Sequence, residues 1–282
     1  MIVCTNREDI LRIVEEAKAV SKSIGFVPTM GALHQGHISL VEKSLKQNNI
    51  TIVSIFINPK QFNQSEDFEK YPRTLNKDIE ILKKSGCSIV FVPSYEQVYQ
   101  DSSSIEVNLD GLDTVLEGKF RKGHFQGVVD VVYRLFKIVS PNRAYFGKKD
   151  YQQLLIIKKM IDYFDFNIEI VPCEIIREPD GLALSSRNTR LSSTERDNAK
   201  VISEALFEAK KTYRNNQVNI VKNFVQNKIE QNNFLSCEYV EICDPDTLKP
   251  CSSKQKALNK ILLTAVYCGK VRLIDNILLD SE

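Results

Sequence analysis

The segment "PTMGALHQGH", residues 28–37, holds two of the chain's three histidines, His34 and His37, on either side of Gly36. The preceding "SIGFVPTM" reads as a strand running into a loop, and "HISLVEK" as the start of a helix. Both histidines therefore fall in a strand-to-helix connection and the first helical turn. There the amides of the helix start and the positive end of its dipole favour an anion. Gly36 leaves out a Cβ that would hold phosphate away, and two imidazoles can donate to phosphoryl oxygens. A purely structural pair of histidines would show the same spacing. A zinc pair is the other alternative, but no glutamate lies between the histidines and only His124 remains as a further nitrogen ligand.

Two more connections have the same character. Gly147, Lys148, Lys149 and Asp150 follow the short strand "AYF" and precede the helix "YQQLLIIKKM". Lysine there neutralises phosphate, and Asp150 either caps the helix or takes a ribose hydroxyl. The stretch "REPDGLALSSRN", residues 177–188, has a Pro-Asp-Gly turn followed by paired serines, an arginine and an asparagine. Hydroxyls and a guanidinium of this kind can close over a triphosphate. A solvated lysine, a capping aspartate and a polar linker would account for the same residues without a ligand.

The elements that must carry these loops follow from periodicity. "REDILRIVEEAKAV" sets Ile10, Ile13, Val14 and Ala17 on one helical face, and "ISLVEKSLKQ" does the same with Ile38, Val41 and Leu45. "ITIVSIFIN" is an almost unbroken apolar run, as expected for a central strand covered on both faces. "LNKDIEILKKSG" reads as a helix ended by Gly86, "CSIVFVP" as a strand, "GVVDVVYRLFKIV" as a helix stopped before Pro141, and "NIEIVPCEII" as another strand. Alternation of this kind predicts an α/β fold, a Rossmann-like doubly wound parallel sheet with ligands beyond the carboxyl ends of its strands. The three loops are then expected along one edge of the sheet.

Past "LSSRNTRLS" the texture changes to a polar helix, "STERDNAKVISEALFEAKKTYR", a second helix near "NIVKNFVQNKIEQ", and strands "CEYVEIC", "KILLTAVYC" and "VRLIDNILL". The expected organisation is a nucleotide- and substrate-binding domain over residues 1–180 and a smaller α+β C-terminal lid domain over 181–282.

Charge and cysteine content narrow the function. With 38 basic and 36 acidic residues the net charge is +2, so no global field gathers nucleic acid or an anionic membrane, and neither is expected as a partner. The seven cysteines are scattered and form no Cys-x-x-Cys, which argues against a disulfide framework and suits a reducing cytoplasm. No apolar run approaches the roughly 20 residues needed to span a bilayer.

In order along the chain, "PTMGALHQGH", "VSIFINPKQF", "YPRT", "GHFQGV", "FGKKDYQQL" and "REPDGLALSSRN" resemble the pantothenate synthetase family, within the His-x-Gly-His nucleotidyl transferase superfamily. The resemblance covers about residues 25–191, and "RLIDNI" near the end is similar as well. It implies condensation of (R)-pantoate with β-alanine, using ATP and Mg²⁺ and passing through a pantoyl adenylate. It also implies a cytoplasmic homodimer.

By the same resemblance Met30, Gly31, Ala32, Leu33, His34, Gln35, Gly36 and His37 embrace ATP, with His37 as proton donor and His34 beside it. Gly147, Lys148, Lys149 and Asp150 bind the nucleotide, the backbone near Ile176 meets the adenine, and Leu184, Ser185, Ser186 and Arg187 close over the triphosphate. His34, His37, Lys149 and Arg187 would stabilise the transition state. Gln61 and Gln153 would hold pantoate, a role suited to uncharged amides facing a substrate rich in hydroxyls. The metal ligands are not implied.

Three positions depart from the family pattern: Asp130 where threonine is usual, Asn142 where aspartate is common, and Leu184 where methionine is frequent. Asp130, amid "VVDVV", must face solvent or find a partner, because an unpaired buried carboxylate is costly. Two rival functions differ in what they require. A nucleotidyl transferase acting on a phosphorylated precursor would favour cations over Gln61 and Gln153. A nucleotide- or RNA-binding module would be expected to carry a basic, aromatic surface.

Overall fold

The computed structural model describes residues 1–63, 65–100 and 103–280. The chain forms two compact units, one of Met1–Lys148 with Gln152–Glu174 and one of Lys149–Tyr151 with Ile175–Glu282.

The first unit is built on strands β1 (Ile2–Cys4), β2 (Ile24–Thr29), β3 (Ile50–Ile55), β4 (Ile89–Phe91), β5 (Arg143–Gly147) and β6 (Glu169–Cys173). They form one sheet in the order β1-β4-β3-β2-β5-β6, every pair parallel. From β2 the chain winds outward through β3 to β4, then returns to the other side of β2 for β5 and β6. The strand order therefore reverses between β2 and β5, where an open α/β sheet leaves a crevice for ligands.

The helices are α1 (Arg7–Ala19), α2 (Gln35–Gln47), α3 (Ser65–Glu69), α4 (Leu75–Lys84), α5 (Tyr95–Val98), α6 (Glu117–Phe120), α7 (His124–Val139) and α8 (Tyr151–Tyr163), the last entering this unit at Gln152. Alternation along the strands shows both faces covered. Phe26, Ile52, Ile89 and Phe91 join one core with Ile10, Val14, Val128, Phe136 and Ile157 of α1, α7 and α8. Val27, Val53 and Val90 join the other with Ile38, Val41 and Leu82 of α2 and α4. Gly25 lets α2 lie tight against β2, for a Cβ there would stand 2.2 Å from Ser44 Oγ.

The expected helix stops are present. Gly86 follows α4 with φ of 81°, and Ser140 takes a left-handed φ of 44° between α7 and Pro141. One strand was not expected: β1 is a three-residue strand that pairs with β4 at the edge of the sheet and is too short to show a period.

The second unit has α9 (Ser193–Ala199), α10 (Val201–Glu208), α11 (Val218–Glu230) and an antiparallel sheet of β7 (Leu235–Cys243), β8 (Ile261–Cys268) and β9 (Val271–Leu278). Ile202, Leu206, Val221 and Val225 pack with Ile242, Leu262 and Leu273 into a separate core. The long polar helix expected over 193–214 is divided, breaking at Lys200 and closing in a π-helical turn, Ala209–Tyr213.

Candidate active site

In the first unit β2 ends at Thr29, beside the reversal of strand order, and releases the Met30–His37 segment. Thr29 Oγ1 donates to Ser54 O at 2.7 Å and accepts from Gly31 N at 3.2 Å, which turns the chain sharply. Gly31 and Ala32 both take left-handed backbones, with φ of 77° and 51°. A residue that the sequence reading did not single out holds this unusual turn. Asp78 of α4 is buried, and its two carboxylate oxygens accept from Ala32 N at 3.0 Å and Leu33 N at 2.8 Å. Thr74 Oγ1 donates to the same carboxylate at 3.1 and 3.2 Å.

His34 is the N-cap of α2, and the two histidines cap the helix reciprocally. His34 Nδ1 accepts from Gly36 N at 3.1 Å, while His34 N donates to His37 Nδ1 at 3.3 Å. The rings lie 4.1 Å apart between centroids. Because each Nδ1 accepts a backbone N–H, the proton of the neutral ring sits on Nε2. The cap thus selects one tautomer in each ring and equips it with an Nε2 donor, at the start of a helix whose dipole already favours an anion.

Gln61 lies in the Pro59–Gln61 turn after β3. It is buried, its Nε2 donates to Met30 Sδ at 2.9 Å, and its Oε1 accepts from Asn58 Nδ2 at 3.3 Å. Helix α7 cradles this turn. His124 Nδ1 lies 2.7 Å from Gln61 O, so the third histidine supports the loop. A Cβ on Gly127 would be 2.3 Å from Lys60 O, so only glycine admits the turn so close to the helix. Asp130 is buried with partners, Lys60 Nζ at 2.9 Å and Arg134 Nε at 2.6 Å. Met30 and Gly31 also border a cavity of about 600 Å³ with apolar walls that include Ile55, Phe56, Ile57 and Val92.

Gly147 ends β5 in register with Cys173, and Lys148 pairs with Glu174. On α8 the adjacent glutamines differ. Gln152 is buried and binds the backbone of Leu112, Val115 and Glu117, whereas Gln153 is half-buried. Asn142 Oδ1 accepts from Ile24 N at 2.8 Å and ties the start of β2 in place.

The second unit brings Lys149, Ser185 and Arg187 to the lining of one small cavity, with Asn188 and Asp275. The segment Ile176–Leu184 forms a narrow hairpin, closed by Leu184 N to Ile176 O at 3.0 Å and an Arg177–Ala183 bridge. Ser185 Oγ then accepts from Arg187 N at 3.3 Å and starts a 3-10 turn, Ser186–Arg190. Two residues of β9 hold these pieces. Asp275 makes a bidentate pair with Arg177 at 2.7 and 2.9 Å, and Asn276 Nδ2 donates to Lys149 O at 2.9 Å. Their only signal in the sequence was "RLIDNI", whose function no local rule discloses. Lys149 Nζ is 3.8 Å from Asp150 Oδ1, a loose ion pair that leaves its charge available to an anion.

Known proteins are similar over the whole length. The family model described as pantoate-beta-alanine ligase matches residues 2–278. A pantothenate synthetase of Bacteroides thetaiotaomicron is 47% identical over 270 residues, covering 96% of each chain. One of a Sulfurihydrogenibium species is 47% identical over 280 residues, 98% of this chain and 99% of that one. Among solved structures, the pantothenate synthetase of Thermus thermophilus superposes with a TM-score of 0.92 at 36% identity over all of both chains. The pantoate-beta-alanine ligase of Francisella tularensis, complexed with beta-gamma ATP and beta-alanine, gives a TM-score of 0.82 at 38% identity over 99% of this chain and 98% of that one.

Proposed function

This chain belongs to the pantoate-beta-alanine ligase family, and we propose that it condenses (R)-pantoate with β-alanine by way of a pantoyl adenylate. A carboxylate oxygen of pantoate attacks the α-phosphorus of ATP, and diphosphate leaves with the bonding electrons. The amine of β-alanine, having lost a proton to solvent, then attacks the acyl carbon and expels AMP. Such chemistry needs positioning and charge stabilisation more than a covalent intermediate on the protein.

The observation that carries this reading is the reciprocal histidine cap at the start of α2, the helix that follows β2 where the strand order of a parallel sheet reverses. In this reading His37 donates to the leaving diphosphate and His34 to the neighbouring oxygens. Lys149 and Arg187 neutralise the triphosphate, the segment Leu184–Arg187 closes over it, and Ile176 meets the adenine. Gln61 and Gln153 hold pantoate. Residues 181–282 act as the lid, and the enzyme works as a cytoplasmic homodimer.

Among the described residues no three His, Cys, Asp or Glu side chains converge as a metal site. Mg²⁺ would be taken up together with ATP, being a small hard cation that prefers oxygen ligands. When bound it would neutralise phosphate charge.

The adenylate is tested by isotope exchange. With Mg²⁺, ATP and pantoate but no β-alanine, labelled diphosphate should enter ATP, and Arg187→Ala should depress that exchange strongly. Exchange that needs β-alanine would refute an adenylate formed first, and exchange indifferent to pantoate would indicate a nucleotidyl transferase.

A further inference from the structure

Primary amides are nearly symmetric in shape, so turning one over exchanges a donor for an acceptor at little steric cost. Which end of Gln61 faces a substrate must therefore be decided by neighbours able to play only one role. They are present in the first unit. The backbone carbonyl of Gly127 can only accept, and it faces Asn58 Nδ2 at 3.1 Å. The backbone N–H of Lys60 can only donate, and it faces Asn58 Oδ1 at 3.3 Å. The shortest bond to this amide comes from a side chain the mechanism has not used: Tyr99 OH donates to Asn58 Oδ1 at 2.9 Å. With its oxygen so engaged, Asn58 has an N–H left for Gln61 Oε1, at 3.3 Å.

We infer that Gln61 meets its substrate as a hydrogen-bond donor, and that Tyr99 is the positioning residue that holds it in that sense through Asn58. The inference rests on the assignment of Gln61 to pantoate. Gln61 Oε1 is occupied by Asn58, while its Nε2 points at Met30 Sδ, 2.9 Å away. A thioether is a weak acceptor, so a substrate oxygen can displace it with a net gain. The group opposite Gln61 is accordingly an acceptor, a carboxylate or hydroxyl oxygen, and a substrate offering only an N–H there is rejected.

Tyr99 is itself held firmly. Its ring stacks on Tyr95 at 4.6 Å, and Lys60 Nζ and Arg134 Cζ lie 4.0 and 4.8 Å from the ring centroid. Both cations are tied to the buried carboxylate of Asp130. Burial, and next the negative charge of Asp130, raise the phenol above its ordinary range, so the hydroxyl remains a donor throughout the neutral range.

The test is Tyr99→Phe, which keeps the ring and removes only the hydroxyl. The expected result is a rise of roughly fivefold to tenfold in the pantoate KM, the effect of one buried hydrogen bond, with the ATP and β-alanine KM values within about twofold. A structural defect would shift all three. In a Gln61→Ala background, Tyr99→Phe should add nothing to the pantoate KM, because the relay then ends on an absent amide. Gln61→Glu, which offers the substrate only an acceptor, should raise that KM more than Gln61→Ala does. This second comparison decides the matter if Tyr99→Phe does not fold.

A rise with Gln61→Ala but none with Tyr99→Phe would overturn the relay and leave the pantoate assignment standing. Additive effects in the double variant, or Gln61→Glu behaving no worse than Gln61→Ala, would also overturn it. If Gln61→Ala left the pantoate KM unchanged, the assignment of Gln61 would fall and the relay with it.

Discussion

Asp78→Asn removes almost no volume, yet it should damage the Met30–His37 loop that we propose binds the nucleotide. The wild-type carboxylate accepts from Ala32 N, Leu33 N and Thr74 Oγ1 in a site where Asp78 is 1% exposed. In the variant one oxygen becomes an NH₂ group, so one backbone N–H must face another donor. A hydrogen bond to a charged group contributes about 1.5–3 kcal/mol, and the surviving bonds lose their charge assistance. The loss should come to about 2–4 kcal/mol, concentrated on a turn in which Ala32 already holds a left-handed backbone. If about 2 kcal/mol of it falls on the loop's bound-state geometry, the competent fraction drops roughly 30-fold, and the apparent ATP affinity drops with it. The assay is paired: thermal unfolding, where a shift of about 5–10 °C is expected, and ATP KM from the diphosphate exchange. Pantoate KM should move much less. An unshifted melting temperature together with an ATP KM within twofold of wild type would refute the reasoning, because the two amide bonds could then not be holding the loop.

Two other outcomes follow from the same geometry. His37→Ala and Lys149→Ala should each lower turnover at least about a hundredfold, since on the proposed function each removes charge stabilisation at the phosphates. His37→Ala should also lower the melting point slightly, because His37 Nδ1 caps α2, a contribution of about 1 kcal/mol; steady-state kinetics and calorimetry on both variants check this. Burial raises the Cys87 and Cys268 thiols to about 11 and Cys243 to about 12. The folded protein then holds these protons more tightly than the unfolded chain, so their contribution to stability is complete below about pH 9 and is lost as pH rises through 11 and 12. Urea titrations from pH 8 to 11 should show a falling midpoint that Cys87→Ser makes shallower, and a flat midpoint would count against it.

The readable parts of the fold were those whose pattern lies within one element. The nearly unbroken β-branched run of β3 announced a strand covered on both faces, and Phe26/Val27, Ile52/Val53 and Val90/Phe91 do send neighbouring residues into opposite cores. Gly86 and Pro141 marked helix ends because backbone geometry acts on adjacent residues. The strand β1 was hidden because three residues at a sheet edge carry no period. The break at Lys200 was hidden because the sequence around it keeps good helix formers on both sides.

The site divides in the same way. The two histidines that we propose face the phosphates share one helix start, so His34 and His37 show in a ten-residue window. Their supports obey no such limit. Asp78 reaches Ala32 across 46 positions, Arg177 reaches Asp275 across 98, and Asn276 reaches Lys149 across 127. In the sequence Asp78 is one charge on an amphipathic helix, indistinguishable from a solvated neighbour. Asp130 lies between these cases. Its pairing with Arg134 is an i, i+4 contact that helical geometry makes available, and the cost of burying a lone carboxylate required some partner. That Lys60 completes the pairing follows only from α7 lying against the Pro59–Gln61 turn, at the separation Gly127 permits. A glycine, a carboxylate and a lysine far apart in the chain thus act on one loop, and it is the packing of α7 that makes them a unit.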